Sequence, residues 1–130
     1  MKEIDSKCAC KGSTLVRFIQ PIILASLCEG PNHGYNLIEK ISQTTIWQGN
    51  SPDATGIYRI LRDMEKRGLV KSYVEAETRA AIGKRVFSIT EEGRQCIGNW
   101  IHTLRQYNEG IKDIITRLEP FTPEIEKNKK

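Results

Sequence analysis

The segment from His33 to Thr90 constrains the fold of this chain more than any other. It contains, in order, a helical pattern, a Gly-Asn-Ser-Pro break at 49–52, and a second, basic helical pattern that ends at Gly68. Two short runs of alternating apolar and polar residues follow, joined by a polar, basic loop. Two helices around a turn, followed by a β-hairpin, are the order of elements in a winged helix-turn-helix. The sequence therefore predicts a mainly α-helical fold with one small β-hairpin, and it makes gene regulation the leading hypothesis.

Length and charge limit the classes of protein to which the chain can belong. With 130 residues, it can form one small domain and an accessory element. The net charge of +4 permits an anionic partner, and residues 53–90 carry eight Lys or Arg against five acidic residues. No apolar run approaches the roughly 18 residues that a membrane span needs, and the N-terminus lacks the hydrophobic core of a secretory signal. We therefore expect a cytoplasmic protein without a membrane partner.

Local signals predict where the first helices begin. Residues 15–29 have apolar positions at helical spacing, and Pro21 either lies in the first turn of this helix or kinks it. Asn32 is expected to cap the next helix, which should bury four side chains. These are Tyr35, Leu37, Ile38 and Ile41. For the basic helix, Ser51 is the expected N-cap and Pro52 the expected first residue.

The basic helix presents two faces. An apolar stripe should face the core and comprises Ala54, Ile57, Leu61 and Met64. The opposite face comprises Thr55, Arg59, Arg62 and Lys66, at spacings of 4, 3 and 4. Such a helix can enter the major groove of DNA, where early positions reach base edges and later basic ones reach phosphates. We predict that Thr55 and Arg59 read bases. Arg62 and Lys66 should contact phosphates, unless this face is simply solvated.

The two alternating runs, 71–75 and 85–89, predict a hairpin that would form the wing. Three basic residues lie in or beside its loop: Arg79, Lys84 and Arg85. We expect them to contact the DNA backbone or a minor groove, because a cation is attracted there whatever the base sequence. Arg85 could instead pair with Glu75 across the hairpin. His33, at the start of a helix, is expected to be structural.

The last helix carries a long apolar seam, and Thr90 should cap this helix. Seven residues recur at alternating spacings of 4 and 3: Ile97, Ile101, Leu104, Asn108, Ile111, Ile115 and Leu118. This spacing is a heptad repeat in which Asn108 takes a core position, where a lone Asn fixes register and partner number. The seam either packs on its own domain or joins two copies of the chain. Its length favours a homodimer.

The four cysteines form neither a disulfide framework nor a recognised zinc signature. Cys8 and Cys10 could form half of a metal or redox site, with Cys28 and Cys96 as the only further thiols. Alternatively, Cys8 and Cys10 are incidental residues of a mobile leader, and the other two are buried and inert. No group of residues supports nucleophilic or metal-dependent catalysis. We therefore expect that the protein is not an enzyme. The only cofactor that the sequence leaves open is a metal or a redox-active pair of thiols at Cys8 and Cys10.

These patterns divide the chain into four parts. We expect a flexible Cys-containing leader at 1–13, a winged helix-turn-helix domain at 14–90, a C-terminal dimerisation helix at 91–119, and a charged tail at 120–130.

Four segments resemble the PadR-like transcriptional regulators in their order and spacing. They are 23–35 (ILASLCEGPNHGY), 56–61 (GIYRIL), 64–70 (MEKRGLV) and 83–93 (GKRVFSITEEG). The resemblance implies a homodimeric, ligand-responsive repressor with one C-terminal dimerisation helix, bound to a double-stranded DNA operator. By position, it also implies that Tyr58 belongs to the reading helix together with Arg59 and Arg62.

The same resemblance implies a small hydrophobic effector, held between the first and last helices. Phe18 and Trp100 are the candidate residues for this site. Two other classes of protein stay open. One is a thiol- or metal-responsive regulator that senses through Cys8 and Cys10, and the other is a winged-helix module whose basic face docks an acidic protein.

Overall fold

The computed structural model describes residues 18–47, 52–75 and 84–123. In chain order the elements are α1 (Ile19–Cys28), β1 (Asn32–His33), α2 (Gly34–Ser42), α3 (Ala54–Lys66), β2 (Val70–Val74), β3 (Arg85–Ile89) and α4 (Glu91–Leu118), followed by a 3-10 turn at Glu119–Phe121. The chain divides into two compact units, with the boundary between Ile97 and Gly98. The predicted helical fold with a small hairpin is confirmed.

The core lies among α1, α2, α3 and the sheet. Each helix contributes apolar residues three or four positions apart, which places them on one face. The buried hydrophobic residues are Ile19, Ile23, Leu24, Leu27, Leu37, Ile41, Ile57, Leu61, Met64, Val70, Val86 and Phe87. Pro21 lies in the first turn of α1, where its missing N–H would have no helical partner in any case. Burying each such aliphatic side chain stabilises the fold by about 1.5–3 kcal/mol, so the three helices and the sheet depend on one another.

The sheet has three antiparallel strands in the order β1-β3-β2. In the predicted hairpin, Ser72 lies opposite Phe87 and Tyr73 lies opposite Val86. The third strand, β1, was not predicted because two residues leave no periodic pattern. Asn32, expected as a helix cap, lies in this strand opposite Phe87. Its Oδ1 accepts hydrogen bonds from the backbone N–H of His33 (2.9 Å) and from Nδ2 of Asn36 (2.8 Å). Asn32 therefore stabilises the turn before α2, but the N-cap of this helix is His33.

The N-terminus of α3 differs from the prediction by two residues. Its cap is Asp53, whose Oδ2 accepts a hydrogen bond of 3.0 Å from the backbone N–H of Gly56. Pro52 therefore precedes the cap, and Ser51 lies outside the described residues. Both Ser and Asp are good caps, but a carboxylate also interacts favourably with the positive end of the helix dipole.

Two predicted helix boundaries, the C-terminal end of α3 and the start of α4, are confirmed. Gly68 has a φ of 79°, the left-handed conformation that commonly ends a helix. At the start of α4, the hydroxyl of Thr90 accepts a hydrogen bond of 3.0 Å from the N–H of Gly93. The same hydroxyl donates to the carbonyl of Gly68 at 2.6 Å. One threonine therefore ties the end of α3 to the beginning of α4.

Candidate nucleic-acid interface

The polar face of α3 is open to solvent along its whole length. Thr55, Arg59, Arg62 and Lys66 are all exposed, whereas Ile57, Leu61 and Met64 are buried. The two predicted faces are therefore present, except that Ala54 is exposed rather than part of the buried stripe. Among the described residues, no ion pair involves the three basic residues of this face. Their positive charges remain available to an anion.

Tyr58 packs against α2 through a contact that requires glycine. A Cβ placed on Gly34 would overlap the Tyr58 ring, lying 2.7 Å from its Cζ and from its Oη. Gly34 is the first residue of α2, so its missing side chain lets the two helices of the helix-turn-helix approach closely. Tyr58 is half-buried. The ring thus helps to set the position of α3 against α2, in addition to any contact with DNA that the resemblance implies.

The base of the wing, the hairpin formed by β2 and β3, is held by specific hydrogen bonds. The backbone N–H of Glu75 donates to the carbonyl of Lys84 at 3.0 Å and continues the hairpin beyond the strands. The Glu75 carboxylate accepts a hydrogen bond of 2.9 Å from Nε2 of His33. His33 is therefore structural, as predicted, and it connects the start of α2 to the wing.

The alternative pairing of Arg85 with Glu75 is wrong. Arg85 Nη1 donates instead to the hydroxyl of Ser72 at 2.9 Å. Ser72 in turn donates to the carboxylate of Glu65, with distances of 2.9 and 3.0 Å to its two oxygens. The Glu75 carboxylate is bonded to His33 instead. The chain of hydrogen bonds that begins at Arg85 therefore leads through Ser72 to Glu65 of α3.

The prediction that Tyr35 is buried is also wrong. Its side chain is 49% exposed, and its ring stacks on that of His33 with centroids 5.3 Å apart. The Lys84 ammonium lies 5.5 Å from the centroid of the same ring. Leu37 and Ile41 occupy the buried face of α2, while Ile38 is half-buried. Two residues along a helix correspond to a rotation of about 200°, so a face centred on Leu37 directs Tyr35 away from the core.

A cavity of about 620 Å³ joins the face of α3 to the base of the wing. It is lined by His33, Gly34, Tyr35, Tyr58, Arg62, Glu65, Lys84, Arg85 and Phe87. These residues come from α2, α3 and strands β1 and β3, except for Lys84, which directly precedes β3. The structure therefore brings together Arg62, Lys84 and Arg85, which the sequence had assigned to two separate elements.

Comparison with known proteins identifies the family. Residues 23–99 match the model of the Transcriptional regulator PadR-like family. The chain belongs to this family. The resemblance drawn from the sequence is confirmed, and the protein is a DNA-binding transcriptional regulator. No curated protein matches the chain.

Solved structures agree with this assignment. A candidate transcriptional regulator from Thermoplasma acidophilum is 28% identical, with a TM-score of 0.66 over 81% of this chain and 95% of its own. A transcriptional regulator from Clostridium thermocellum is 25% identical, with a TM-score of 0.68 over 87% and 99%. Bacillus subtilis PadR, solved with operator DNA, is 21% identical, with a TM-score of 0.55 over 65% and 46%. The last likeness concerns the fold alone and supports the winged helix.

The apolar seam of α4 is open to solvent over most of its length. Ile97 and Leu104 are half-buried, whereas Asn108 and the seam residues after it are exposed. Ile111 is 46% exposed, Ile115 49% and Leu118 63%. The single chain therefore leaves Ile111, Ile115 and Leu118 in contact with water.

The structure also describes two of the cysteines and both candidate effector residues. Cys28 was expected to be buried but is exposed, with Arg94 Nη1 3.9 Å from its Sγ; Cys96 is half-buried. Phe18 and Trp100, the candidate effector residues, are each half-buried. Within the three described ranges, no group of His, Cys, Asp and Glu could hold a metal ion.

Three predicted residues, Cys8, Cys10 and Arg79, lie outside the described residues. In the part of the chain that is described, none of the helices has the length and apolar character needed to cross a bilayer.

Proposed function

We propose that the protein is a homodimeric repressor that binds a nearly palindromic operator and releases it when a small effector binds. The observation that carries this proposal is the exposed, unpaired basic face of α3, which lies beside the cations at the base of the wing. The family is one of transcriptional regulators, and its Bacillus subtilis namesake has been solved with operator DNA. A regulator of transcription acts where the chromosome is, which supports the cytoplasmic location expected from the sequence.

Each part of this face has a role that fits its position. The major groove is about 12 Å wide and admits a helix such as α3. Thr55 and Arg59 lie in the first two turns of α3 and would reach base edges, while Arg62 and Lys66 would neutralise phosphates. Lys84 and Arg85, at the base of the wing, would contact the adjacent backbone. Charge supplies affinity for any duplex, and the base contacts supply selectivity.

The seam on α4 supplies the second half of the proposal. Burial of exposed apolar surface stabilises association by about 25 cal/mol for each Å² removed from water. Two copies that pair along this seam would cover Ile111, Ile115 and Leu118, and the two Asn108 side chains would set the register. The recognition helices of such a dimer should enter successive major grooves, about 34–36 Å apart. We accordingly assign 14–90 to DNA binding and 91–119 to dimerisation.

The proposed effector is defined by its chemical class. It would be a small hydrophobic compound, as the family resemblance implies. A repressor released by such a compound requires that the ligand bind the DNA-free state more tightly than the DNA-bound state.

The first prediction separates base contacts from phosphate contacts on α3. Replacing Arg59 by alanine should weaken binding to the preferred sequence by about 1–3 kcal/mol, or roughly 5- to 150-fold, and relax the preference at the bases that it reads. Replacing Lys66 by alanine should weaken binding to all duplexes by similar factors and make it less dependent on salt. Both effects are measured by fluorescence anisotropy, with duplexes selected from random DNA by the wild-type protein.

The matched control is Arg67→Ala, because Arg67 is exposed at the end of α3 but paired with Asp63 at 2.8 Å. Its sequence preference should be unchanged. If Arg59→Ala kept both the affinity and the preference of the wild type, Arg59 would have to be removed from the reading surface. If the wild-type protein failed to bind duplex DNA even at low salt, the result would instead favour the alternative function, a winged-helix module whose basic face docks an acidic protein.

A further inference from the structure

The cavity between α3 and the wing is larger than a DNA phosphate requires. Its volume of about 620 Å³ lies within the range of roughly 300–1,000 Å³ that is typical of small-molecule sites. A single phosphate group of a DNA backbone would leave most of this space unfilled. The size therefore points to an occupant of several rings or groups, about as large as a mononucleotide.

The charged residues of the cavity favour an anion. Arg62, Lys84 and Arg85 line it together with one carboxylate, that of Glu65. With His33 neutral, the lining has a formal excess of two positive charges. A phosphate monoester carries about −1.5 to −2 at neutral pH, which matches this excess. Two guanidinium groups also suit phosphate, because each can donate two parallel N–H bonds.

Glu65 and His33, two further polar residues of the lining, are already engaged. Glu65 accepts hydrogen bonds from Ser72, and His33 bonds to Glu75. No such carboxylate partner lies within 4 Å of Arg62, Lys84 or Arg85 among the described residues. Arg85 Nη1 already donates to the Ser72 hydroxyl, but no carboxylate of the described residues neutralises any of these three cations, so theirs are the charges that an anionic ligand would neutralise.

Aromatic side chains supply the apolar part of the lining. Tyr35 and Tyr58 reach the cavity from α2 and α3, and Phe87 reaches it from β3. Rings of this kind favour a planar, apolar group on the ligand. Cations and aromatic rings that line one cavity, with the Lys84 ammonium 5.5 Å from the centroid of the Tyr35 ring, are the complement of a phosphate ester that bears an aromatic ring.

We propose that this cavity binds a free aromatic phosphate monoester of mononucleotide size, and that the bound ligand excludes DNA. The exclusion rests on the proposed DNA-binding function, since Arg62 belongs both to the exposed face of α3 and to the cavity. Lys84 and Arg85 are likewise shared with the wing. One set of three cations cannot neutralise the ligand and the DNA backbone at the same time, so the two partners compete directly.

Binding of the ligand is tested first without DNA. Isothermal titration calorimetry of the full chain is carried out with phenyl phosphate and with the four ribonucleoside 5′-monophosphates. Inorganic phosphate and the corresponding nucleosides are the controls that lack one half of the ligand. We expect at least one monoester to bind about 10-fold or more tightly than either of its halves. Arg85→Ala and Arg62→Ala should each weaken this binding by about 10-fold, as expected for loss of a charge-assisted hydrogen bond.

The control variant for this series is Arg67→Ala, which removes an arginine of the same region that does not line the cavity. Its affinity for the monoester should equal that of the wild type. Thermal unfolding of each variant, followed by circular dichroism, verifies that the loss of binding is not a loss of fold. Absence of binding by all five monoesters to the folded wild-type protein would overturn the proposal.

Competition is then measured by displacement of a labelled duplex. The monoester should raise the apparent Kd for DNA linearly with its free concentration, as expected for direct competition. Equal displacement by inorganic phosphate would show a pocket for backbone phosphates and overturn the assignment of an aromatic ligand. A ternary complex of protein, monoester and DNA would overturn the exclusion. If the protein bound no DNA at all, the calorimetric result would still stand, so the failures of the two proposals can be told apart.

Discussion

Replacing Ile111 and Ile115 together by aspartate is expected to convert the proposed dimer into monomers and to lower operator affinity by about 100-fold or more. Both side chains are close to half-exposed in the single chain, at 46% and 49%. The substitutions should therefore leave the folded chain intact. In a dimer, however, four carboxylates would have to leave water, and burying an uncompensated charge costs several kcal/mol.

The effect on DNA follows from the loss of the second recognition helix. A dimer binds its second half-site as an intramolecular event, and this linkage raises affinity by about 10²–10⁴ without any new contact. A monomer keeps its own basic face on α3 but loses that gain. The oligomeric state is measured by sedimentation velocity, and operator affinity by fluorescence anisotropy with one and with two half-sites.

The matched control places the same charges on the opposite face of the same helix. Asn99 and Gln106 are exposed and lie one heptad apart, away from the seam. The double variant Asn99→Asp, Gln106→Asp adds the same negative charge and should remain a dimer. If the Ile111, Ile115 variant also stayed dimeric, or if the wild type were monomeric, the role proposed for α4 would be wrong.

The sequence predicted those elements whose signal is periodic. The apolar and basic faces of α3 follow from a repeat of 3.6 residues, and the wing follows from alternation between Lys71 and Glu75 and after Arg85. Gly68 and Thr90 were predicted correctly because a helix end is decided by a few neighbouring residues. Such features need no knowledge of how the elements pack.

The features that were missed depend on contacts between distant parts of the chain. Strand β1 consists of two residues and exists because β3 lies beside it. Tyr35 was expected in the core, but the packing of α2 centres its buried face on Leu37 and leaves Tyr35 beside His33 and Lys84. Cys28, the last residue of α1, also has a helical pattern around it but is exposed. Periodicity shows that a helix has a buried face but only approximately where that face ends.

The candidate site shows the same division. Arg62, Lys84 and Arg85 could each be selected from the sequence, because all three are basic residues of a reading helix or a wing. That they line one cavity with Tyr58 and Phe87 depends on the packing of α2, α3 and the sheet. A glycine at position 34 was the available signal for the close approach of α2 and α3, but its partner, Tyr58, lies 24 positions away.

Replacing Gly93 by alanine is expected to destabilise the fold by about 1–3 kcal/mol, the usual cost of an inserted methyl group that the surroundings cannot accommodate. Gly93 is buried in the first turn of α4. A Cβ at this position would overlap the carbonyl oxygen of Leu69, and it would lie 2.8 Å from Cγ1 of Ile89. The Leu69 oxygen accepts the backbone N–H of Thr90 at 3.1 Å. It therefore cannot move away without loss of that hydrogen bond.

The matched control is Gly98→Ala in the same helix. A Cβ at Gly98 would meet no described atom within 4 Å, so this variant should gain about 0.5–1 kcal/mol from the higher helix propensity of alanine. Urea denaturation at one fixed protein concentration compares the two, because the stability of a dimer depends on concentration. The opposite signs follow from packing alone, since both glycines are helical and both substitutions are the same. Equal stabilisation by the two variants would show that α4 does not approach Leu69 as closely as described. In that case the first turn of α4 would not be the contact that joins the proposed dimerisation helix to the recognition helix and the wing.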